Sequence, residues 1–271
     1  MTTALITGAS AGLGTHFALA LARDKNDLIL VARREDRLEQ LAALVRERYG
    51  VAAHVFAADL AKKNAVIRLA EAVKAQGLTV DLLVNNAGFG ARGAFAEIDR
   101  AAQSRMIDVN CRALTELCHA FLPGMLERQS GAILNVASTA AFQPGPWMAV
   151  YYASKAFVLS FSEALHEEVK DRGVAVSALC PGPTRTEFAD VAGAADSDLF
   201  RRLAGPPETV VADGLKALRA NRAVAVSGAA NKIMASSIRF APRSVARRIA
   251  ASLQKARQDQ SAEDRHKTSS R

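Results

Sequence analysis

The sequence predicts an α/β fold, a doubly wound parallel sheet of about seven strands with helices on both faces. Short apolar runs alternate with longer segments of helical periodicity along the first 180 residues, which is typical of strands joined by crossover helices. The apolar runs are nearly continuous, so both faces of each strand are expected to be buried. A glycine-rich turn joins the first run to the first helical segment, as in sheets of this type.

The expected elements follow one another without an internal repeat or a dividing linker. Strands are expected at 4–7, 28–32, 53–57, 82–85, 132–136, 174–179 and 223–226. Helices are expected at 13–23, 35–48, 62–76, 100–128, 151–171 and 207–220, and an amphipathic helix within 244–258. Gly, Asp, Ser and Pro mark a long loop over 183–207, and loops of this length are usually lids or disordered. We therefore expect one domain over 1–258 and a disordered basic tail over 259–271.

Charge and composition limit the classes of partner. The net charge is +8, but residues 232–271 hold ten basic and three acidic residues, whereas the preceding 231 hold 25 and 24. The body is thus nearly neutral, which argues against nucleic acid as a partner. The C-terminal excess is interpreted as a solvated helix face and tail, with a phosphate-rich partner or a peripheral anionic-membrane contact as the alternatives.

Several absences indicate a reducing, cytoplasmic compartment. No run of about 18 apolar residues is present, so no membrane span is expected. Strand-like sequence begins at Ala4, which leaves no room for a signal peptide. The three cysteines form no paired framework, and the five histidines show no metal-ligand spacing, so no metal is expected.

The first turn reads Gly8-x-x-x-Gly12-x-Gly14, with Ser10 and Leu13 between the glycines. Glycine permits backbone conformations and close approaches that a Cβ atom would obstruct. The helix that follows directs its N–H groups and the positive end of its dipole towards a pyrophosphate. No Lys-Ser/Thr pair follows the glycines, which disfavours a P-loop. The turn therefore predicts a dinucleotide site.

The end of the second predicted strand distinguishes between two nicotinamide cofactors. A carboxylate there would bind the ribose 2′-hydroxyl, and a basic residue suits a 2′-phosphate. The sequence carries Arg33 and Arg34, with no acid before Glu35. Guanidinium groups bind phosphate in a bidentate manner. We predict NADP(H), with Arg33 as the main ligand and Arg34 as its support, and NAD(H) as the alternative.

A phenol and an ammonium group are expected on one helix face further along. Tyr151 and Tyr152 precede Lys155 by four and three residues, and both spacings are neighbours on a helix. Ser138 follows the buried run at 132–136. A nearby ammonium group stabilises a phenolate and lowers its pKa, so this arrangement suits proton transfer to or from an oxygen.

Taken together, the glycine turn, Ser138 and Tyr151-x-x-x-Lys155 resemble the short-chain dehydrogenase/reductase family in its classical form. The resemblance selects Tyr151 over Tyr152 as the acid/base, and it implies that Lys155 binds the nicotinamide ribose and that Ser138 binds the substrate oxygen. Asn110 matches an asparagine that holds a water linked to the lysine. Further cofactor contacts implied by the resemblance are Asp59, Leu60, Asn86, Ala87, Pro181, Gly182 and Thr186.

The expected function is an NADP(H)-dependent oxidoreductase that interconverts a ketone or aldehyde and an alcohol. Pocket walls are expected at 88–95, 139–148 and 183–205. An apolar substrate is expected, because these walls carry several large apolar residues: Phe89, Phe142, Trp147, Phe188, Leu199 and Phe200. A 3-oxoacyl-thioester reductase of a lipid pathway is the alternative, and a nonenzymatic dinucleotide sensor or an epimerase is disfavoured. The resemblance also implies a homodimer or homotetramer built from the helices at 100–128 and 151–171.

Overall fold

The computed structural model describes residues 2–188, 192–193, 204–238, 240 and 242–255. Within them, seven strands alternate with helices. The strands are β1 (Thr3–Thr7), β2 (Asp27–Ala32), β3 (Ala53–Ala57), β4 (Leu82–Asn85), β5 (Gly131–Val136), β6 (Val174–Cys180) and β7 (Val224–Val226). The predicted α/β class is confirmed, and each observed strand lies within one residue of its predicted bounds.

In the described part of the chain, each helix predicted before β7 is present and in the predicted order, with one internal difference. They are α1 (Gly12–Arg23), α2 (Glu35–Tyr49), α3 (Ala65–Ala75), α4 (Arg100–Ile107), α5 (Leu114–Glu127), α6 (Ala149–Val169), α7 (Pro207–Arg219), α8 (Ala229–Ile238) and α9 (Arg243–Lys255). The single helix expected at 100–128 is divided by a π-helical turn at Asp108–Ala113. Helix α8 was not predicted. Helix α9 is the expected terminal helix, and the tail expected at 259–271 lies outside the described residues.

All strand pairs are parallel, in the order β3-β2-β1-β4-β5-β6-β7. The chain extends the sheet in one direction from β1 to β3 and then returns to add β4 on the other side of β1. Ligands in open sheets of this kind bind beyond the carboxyl ends of the strands, at the point where the order reverses. Here the turns after β1 and β4 meet at that point, and they carry the glycine motif and Asn86-Ala87.

Two apolar cores cover the two faces of the sheet. One core packs α1, α2 and α7 against the sheet, with Phe17, Leu38 and Leu215 among its buried members. The other core packs α3, α5 and α6 against the opposite face, with Leu69 and Val158 among its members. Because both faces are covered, the strands need the continuous apolar sequences from which they were predicted. None of the helices in the described part of the chain is long and apolar enough to cross a bilayer.

Candidate active site

A cavity of about 410 Å³ runs along the carboxyl ends of the strands. It extends from Arg33 and Arg34 after β2 to Ser138 after β5 and to Tyr151 and Lys155 on α6. Other residues singled out from the sequence also line it: Gly8, Ser10, Gly12, Leu13, Asp59, Leu60, Asn86, Ala87, Pro181, Gly182 and Thr186. The structure therefore brings both ends of the predicted site into one continuous space. Gly14 and Asn110 lie behind its wall.

The turn needs its glycines for two physical reasons, backbone conformation and close contact. Gly8 and Gly12 have φ of +68° and +55°, in the left-handed region that favours glycine. At Gly14 the constraint is contact, because a Cβ atom there would lie 2.1 Å from the carbonyl oxygen of Gly8. Gly14 thus lets α1 approach the end of β1, while Gly8 and Gly12 leave backbone exposed to the cavity.

The turn after β4 is tied to the end of β1. The side-chain amide of Asn86 donates to the carbonyl oxygen of Thr7 at 2.9 Å, and the hydroxyl of Thr7 accepts from the backbone N–H groups of Asn86 at 3.0 Å and Ala87 at 2.9 Å. These bonds hold the walls of the cavity together where the strand order reverses.

At the basic end of the cavity, Arg33, Arg34 and Glu187 belong to the lining, and Arg37 pairs with Glu187 from outside it. Arg34 donates from Nε and Nη2 to the hydroxyl and carbonyl oxygens of Ser10, at 3.3 and 3.2 Å. It also contacts Glu187 at 3.1 Å, and Arg37 contacts the other oxygen of the same carboxylate at 2.7 Å. Arg33 is exposed, and no ion pair involves it among the described residues. The pKa of Glu187 is held below its usual value, chiefly by Arg37 and then by Arg34.

Asp59 lines the cavity from the connection that follows β3, the strand next to β2. Its carboxylate accepts from the backbone N–H of Ala61 at 3.1 Å and pairs with Arg105 of α4 at 3.3 Å. Leu60 is buried beside it. A carboxylate and an apolar side chain at this place can bind the amino group and the face of an adenine ring.

At the reaction end, Ser138, Tyr151 and Lys155 converge on one point. The side chain of Ser138 is hydrogen-bonded to the phenol of Tyr151, and it also accepts from the backbone N–H of Ala140 at 3.1 Å. The ammonium nitrogen of Lys155 donates to the carbonyl oxygen of Val136 at 2.8 Å and lies 5.9 Å from the centre of the Tyr151 ring. Both Tyr151 and Lys155 are buried.

The protein environment shifts the two titratable groups in opposite directions. Burial raises the pKa of Tyr151, although its hydrogen bond with Ser138 acts the other way. Burial lowers the pKa of Lys155 to about 8, against the opposing influence of the thiols of Cys111 and Cys180. In the protein alone the pKa of Tyr151 is thus raised by burial, and Lys155 is not among the groups that shift it. The lowering expected from Lys155 together with an oxidised nicotinamide ring stays a prediction for the complex with cofactor.

Asn110 lies in the π-helical turn behind Lys155. Its side-chain oxygen accepts from the backbone N–H of Phe89 at 3.1 Å, and its amide donates to the carbonyl of Phe89 at 3.0 Å and to the hydroxyl of Ser154 at 3.0 Å. A Cβ atom at Gly88 would lie 3.1 Å from Asn110 and 3.4 Å from Lys155. Asn110 thus fixes the loop after β4 against α6, next to the lysine.

The apolar wall around Tyr151 differs in part from the prediction. Phe89 and Phe188 line the cavity, and the ring centre of Phe188 lies 5.3 Å from that of Tyr151. Phe142 was wrongly assigned, because it packs into the core beneath α6. Trp147 was also wrongly assigned, because it lines a separate small pocket. Leu199 and Phe200 lie outside the described residues.

Among the lining residues, Arg105, Asn231, Met234 and Ala250 lie outside the predicted pocket walls. Gln143, Met148 and Glu187 lie within the predicted walls at 139–148 and 183–205, but the sequence did not single them out. Asn231, Met234 and Ala250 come from α8 and α9, whose packing over the cavity no local pattern indicates. Glu187 follows Thr186, which was predicted, but its pairing with arginines about 150 residues away leaves no local signal.

Comparisons with known proteins agree with this geometry. A family model described as short chain dehydrogenase matches residues 2–196. Among curated relatives, the very-long-chain 3-oxoacyl-CoA reductase of Anas platyrhynchos is 34% identical over 194 residues, which is 69% of this chain and 61% of that protein. The match thus leaves more than a third of that relative's length uncovered.

Two solved structures resemble most of the chain. A short-chain dehydrogenase from Sphingobium yanoikuyae, in complex with NADPH, has a TM-score of 0.79 and 33% identity, and the match covers 89% of this chain and 94% of that one. A bulky-bulky ketone specific alcohol dehydrogenase from Comamonas testosteroni has a TM-score of 0.75 and 29% identity, with coverage of 89% and 92%. The similarity extends beyond the region that the family model matches.

Proposed function

This chain belongs to the short-chain dehydrogenase/reductase family, and from that premise we propose that it is an NADP(H)-dependent enzyme that interconverts a ketone or aldehyde and an alcohol. The observation that carries the proposal is the single cavity that joins the arginines after β2 to Ser138, Tyr151 and Lys155. A dinucleotide needs such a space, because its adenosine phosphate and its nicotinamide lie far apart.

The residues of the cavity suit NADP(H) along its length. The backbone of the Gly8–Gly12 turn and the N-terminus of α1 would bind the pyrophosphate. Arg33 and Arg34 would bind the 2′-phosphate, and Asp59 and Leu60 would contact the adenine. Thr186 packs against Gly12, where a Cβ atom would come within 3.2 Å of it, and Pro181, Gly182 and Thr186 would contact the nicotinamide half. Similarity to a dehydrogenase solved with NADPH supports this cofactor.

Tyr151 would exchange the proton with the substrate oxygen. In carbonyl reduction the bound cofactor supplies a hydride to the carbon, while the phenol donates its proton to the oxygen; in oxidation the same groups act in reverse. The raised pKa of Tyr151 in the protein keeps the phenol protonated, which suits its role as an acid. Ser138 would donate a hydrogen bond to the developing oxyanion.

Lys155 would hold the nicotinamide ribose and assist the proton transfer. Its ammonium group already bonds one backbone carbonyl, at Val136, and it retains two further donors. Asn110 holds the backbone of Phe89 and the side chain of Ser154 beside it. We assign Asn110 a positioning role, which keeps the lysine aimed at the cavity.

The substrate is expected to be apolar. Phe89, Met148 and Phe188 form the wall next to the Tyr151 phenol, and no Lys, Arg, Asp or Glu other than Lys155 belongs to that part of the described lining. The likeness to a dehydrogenase specific for bulky ketones supports the same class.

A 3-oxoacyl thioester is the second candidate, supported by the likeness to very-long-chain 3-oxoacyl-CoA reductases and by the basic residues Arg243, Arg247 and Arg248 of α9.

A turnover assay tests the function and separates the candidates. NADPH consumption would be followed with bulky apolar ketones, with 3-oxoacyl thioesters of several chain lengths, and with small charged sugars. We expect turnover with one of the first two classes and none with the sugars. Turnover with charged sugars alone would contradict the apolar site, and failure to bind NADPH would contradict the proposed function itself.

A further inference from the structure

Glu187 places a negative charge next to Arg34, which is proposed to bind the 2′-phosphate of the cofactor, and next to Arg37. One oxygen of its carboxylate lies 3.1 Å from both terminal nitrogens of Arg34, and the other lies 2.7 Å from Arg37. Arg34 is in turn held by Ser10 of the glycine turn. Both terminal nitrogens of Arg34 therefore donate to one carboxylate oxygen, and these are donors that a phosphate oxygen would also use.

The carboxylate arrives from a distant part of the chain. Glu187 follows β6 in a stretch that is hydrogen-bonded to Gly205. The backbone N–H of Arg185 donates to Gly205 at 3.1 Å, and that of Gly205 donates to Pro183 at 3.0 Å. Its neighbours in sequence, Thr186 and Phe188, contact the glycine turn and the ring of Tyr151. Three consecutive residues therefore touch the pyrophosphate site, the arginines and the acid/base.

A 2′-phosphate and the Glu187 carboxylate would compete for the same donors. A guanidinium group that already binds a carboxylate must give up that contact to bind a phosphate, and an anion that remains nearby repels a doubly charged phosphate. A nucleotide without the 2′-phosphate has no such conflict, because its ribose 2′-hydroxyl is neutral. The competition therefore acts on one cofactor only.

We propose that Glu187 is a specificity-determining residue that opposes NADP(H) by competing with the 2′-phosphate for Arg34, while Arg37 binds its other carboxylate oxygen. This inference rests on the proposed function and deepens it. Binding of NADP(H) then separates Glu187 from Arg34, whereas NAD(H) leaves the ion pairs in place. Arg33, which is exposed and unpaired among the described residues, is the guanidinium that a 2′-phosphate meets without competition.

The test compares two nucleotides that differ only in the 2′-phosphate, adenosine 2′,5′-bisphosphate and adenosine 5′-monophosphate, by calorimetry on the full chain. Glu187→Gln keeps the shape of the side chain and removes its charge. We expect this variant to bind the bisphosphate about threefold to tenfold more tightly, since each half-exposed ion pair is weak, and the monophosphate unchanged. Glu39→Gln removes the same charge from α2, where Glu39 lies 4.0 Å from Arg46, and is expected to change neither affinity.

The outcomes separate the two proposals. An unchanged or weakened affinity of Glu187→Gln for the bisphosphate overturns the competition, even when the unaltered chain binds NADPH and turns over. An equal gain in Glu39→Gln also overturns it, because the effect would then come from net charge. If the unaltered chain binds neither the bisphosphate nor NADPH, both this inference and the proposed function fail.

Discussion

Two adjacent tyrosines lie within helical reach of Lys155, and their surroundings differ. The phenol of Tyr151 is hydrogen-bonded to Ser138 and faces the cation. The ring of Tyr152 instead fills the space at Gly145, where a Cβ atom would come within 2.2 Å of it. The environment of Tyr151 suits proton transfer, and that of Tyr152 suits packing. Spacing along the helix cannot distinguish the two tyrosines, but substitution of each can.

We predict that Tyr151→Phe lowers kcat by about 10²- to 10⁴-fold, because it removes the proton donor, while NADPH affinity is retained. Tyr152→Phe should keep turnover within a few-fold, since the ring and its packing remain. Steady-state kinetics and NADPH titration of both variants check this. Turnover retained in the first variant and lost in the second would reverse the assignment.

Arg33 is predicted to discriminate between cofactors. Arg33→Ala should weaken NADPH binding by about tenfold, since a hydrogen bond to a charged group contributes roughly 1.5 kcal/mol or more, and should leave NADH binding unchanged. Arg68→Ala is a matched control, because Arg68 is an exposed arginine on α3 outside the cavity lining. An equal loss for both cofactors in Arg33→Ala would defeat the assignment.

The buried lysine predicts a pH-dependent stability. Lys155 has a pKa of about 8 in the folded protein and 10.5 as its ordinary value, so between these pH values the unfolded chain binds one more proton. Stability from this group therefore rises with pH across that window, by up to about 3 kcal/mol. The cost of burying the ammonium is present in full below pH 8.

The measurement is the difference in free energy of unfolding between the unaltered chain and Lys155→Met. Lys155→Met should be the more stable at pH 7, and its advantage should shrink as the pH rises above about 8. Taking the difference cancels most of the titration of the thiols of Cys111 and Cys180, which face the ammonium group. A difference that stays constant from pH 7 to 10.5 would show that Lys155 does not titrate there.

At the residue scale, the sequence predicts what depends on short spacing. Tyr151 and Lys155 are four residues apart on one helix, and Arg33 follows a strand whose end is recognisable. All three residues could therefore be located from the sequence. The pairing of Glu187 with Arg34, or of Asp59 with Arg105, depends on how distant loops pack. The effect of burial on the pKa of Tyr151 also could not be predicted, because it depends on every group around the ring.

Among the elements, the strands were predicted best, because burial on both faces requires apolar runs that end sharply. The π-helical turn at Asp108–Ala113 could not be predicted, since one extra residue in a turn leaves the apolar periodicity nearly unchanged. Its position beside Gly88 and Lys155 shows why it matters, because it brings Asn110 towards the lysine. Helix α8 was missed because only Ala235 of its residues is buried, so it has little apolar pattern.

The junction between β1 and α1 gives a prediction at this scale. Gly14→Ala places a methyl group 2.1 Å from the carbonyl oxygen of Gly8, so α1 or the turn must move. We expect a loss of stability of about 1–3 kcal/mol together with weaker NADPH binding. Thermal unfolding and NADPH titration check both effects.

Gly205→Ala is the control for this variant, because nothing lies within 4 Å of a Cβ atom at Gly205. It should change the midpoint of thermal unfolding little and leave NADPH binding intact. A Gly14→Ala protein with normal stability and normal NADPH affinity would mean that the turn accommodates a side chain, contrary to the packing argument.

For the molecule as a whole, the sequence pattern predicts a doubly wound parallel sheet, whereas a homodimer or homotetramer is implied only by the family resemblance. The cavity is built within one chain from both halves of the sheet, so the described residues proposed to hold the cofactor all belong to that chain. Large apolar side chains are nevertheless exposed on the helices that the resemblance assigns to an interface: Ile107 at the end of α4 is 52% exposed, and Phe157 on α6 is 44% exposed. A second copy packed on these two helices, as the resemblance implies, would bury both side chains.

We therefore predict that the protein sediments as a dimer or tetramer and that Ile107→Glu shifts it towards the monomer, because a carboxylate buried in an interface is costly. Ile67→Glu is matched in residue type and in exposure, at 55%, but lies on α3, outside the expected interface, and should leave the assembly intact. Both variants should still bind NADPH, which distinguishes dissociation from misfolding. A monomeric unaltered chain, or equal dissociation in both variants, would contradict an interface on α4 and α6.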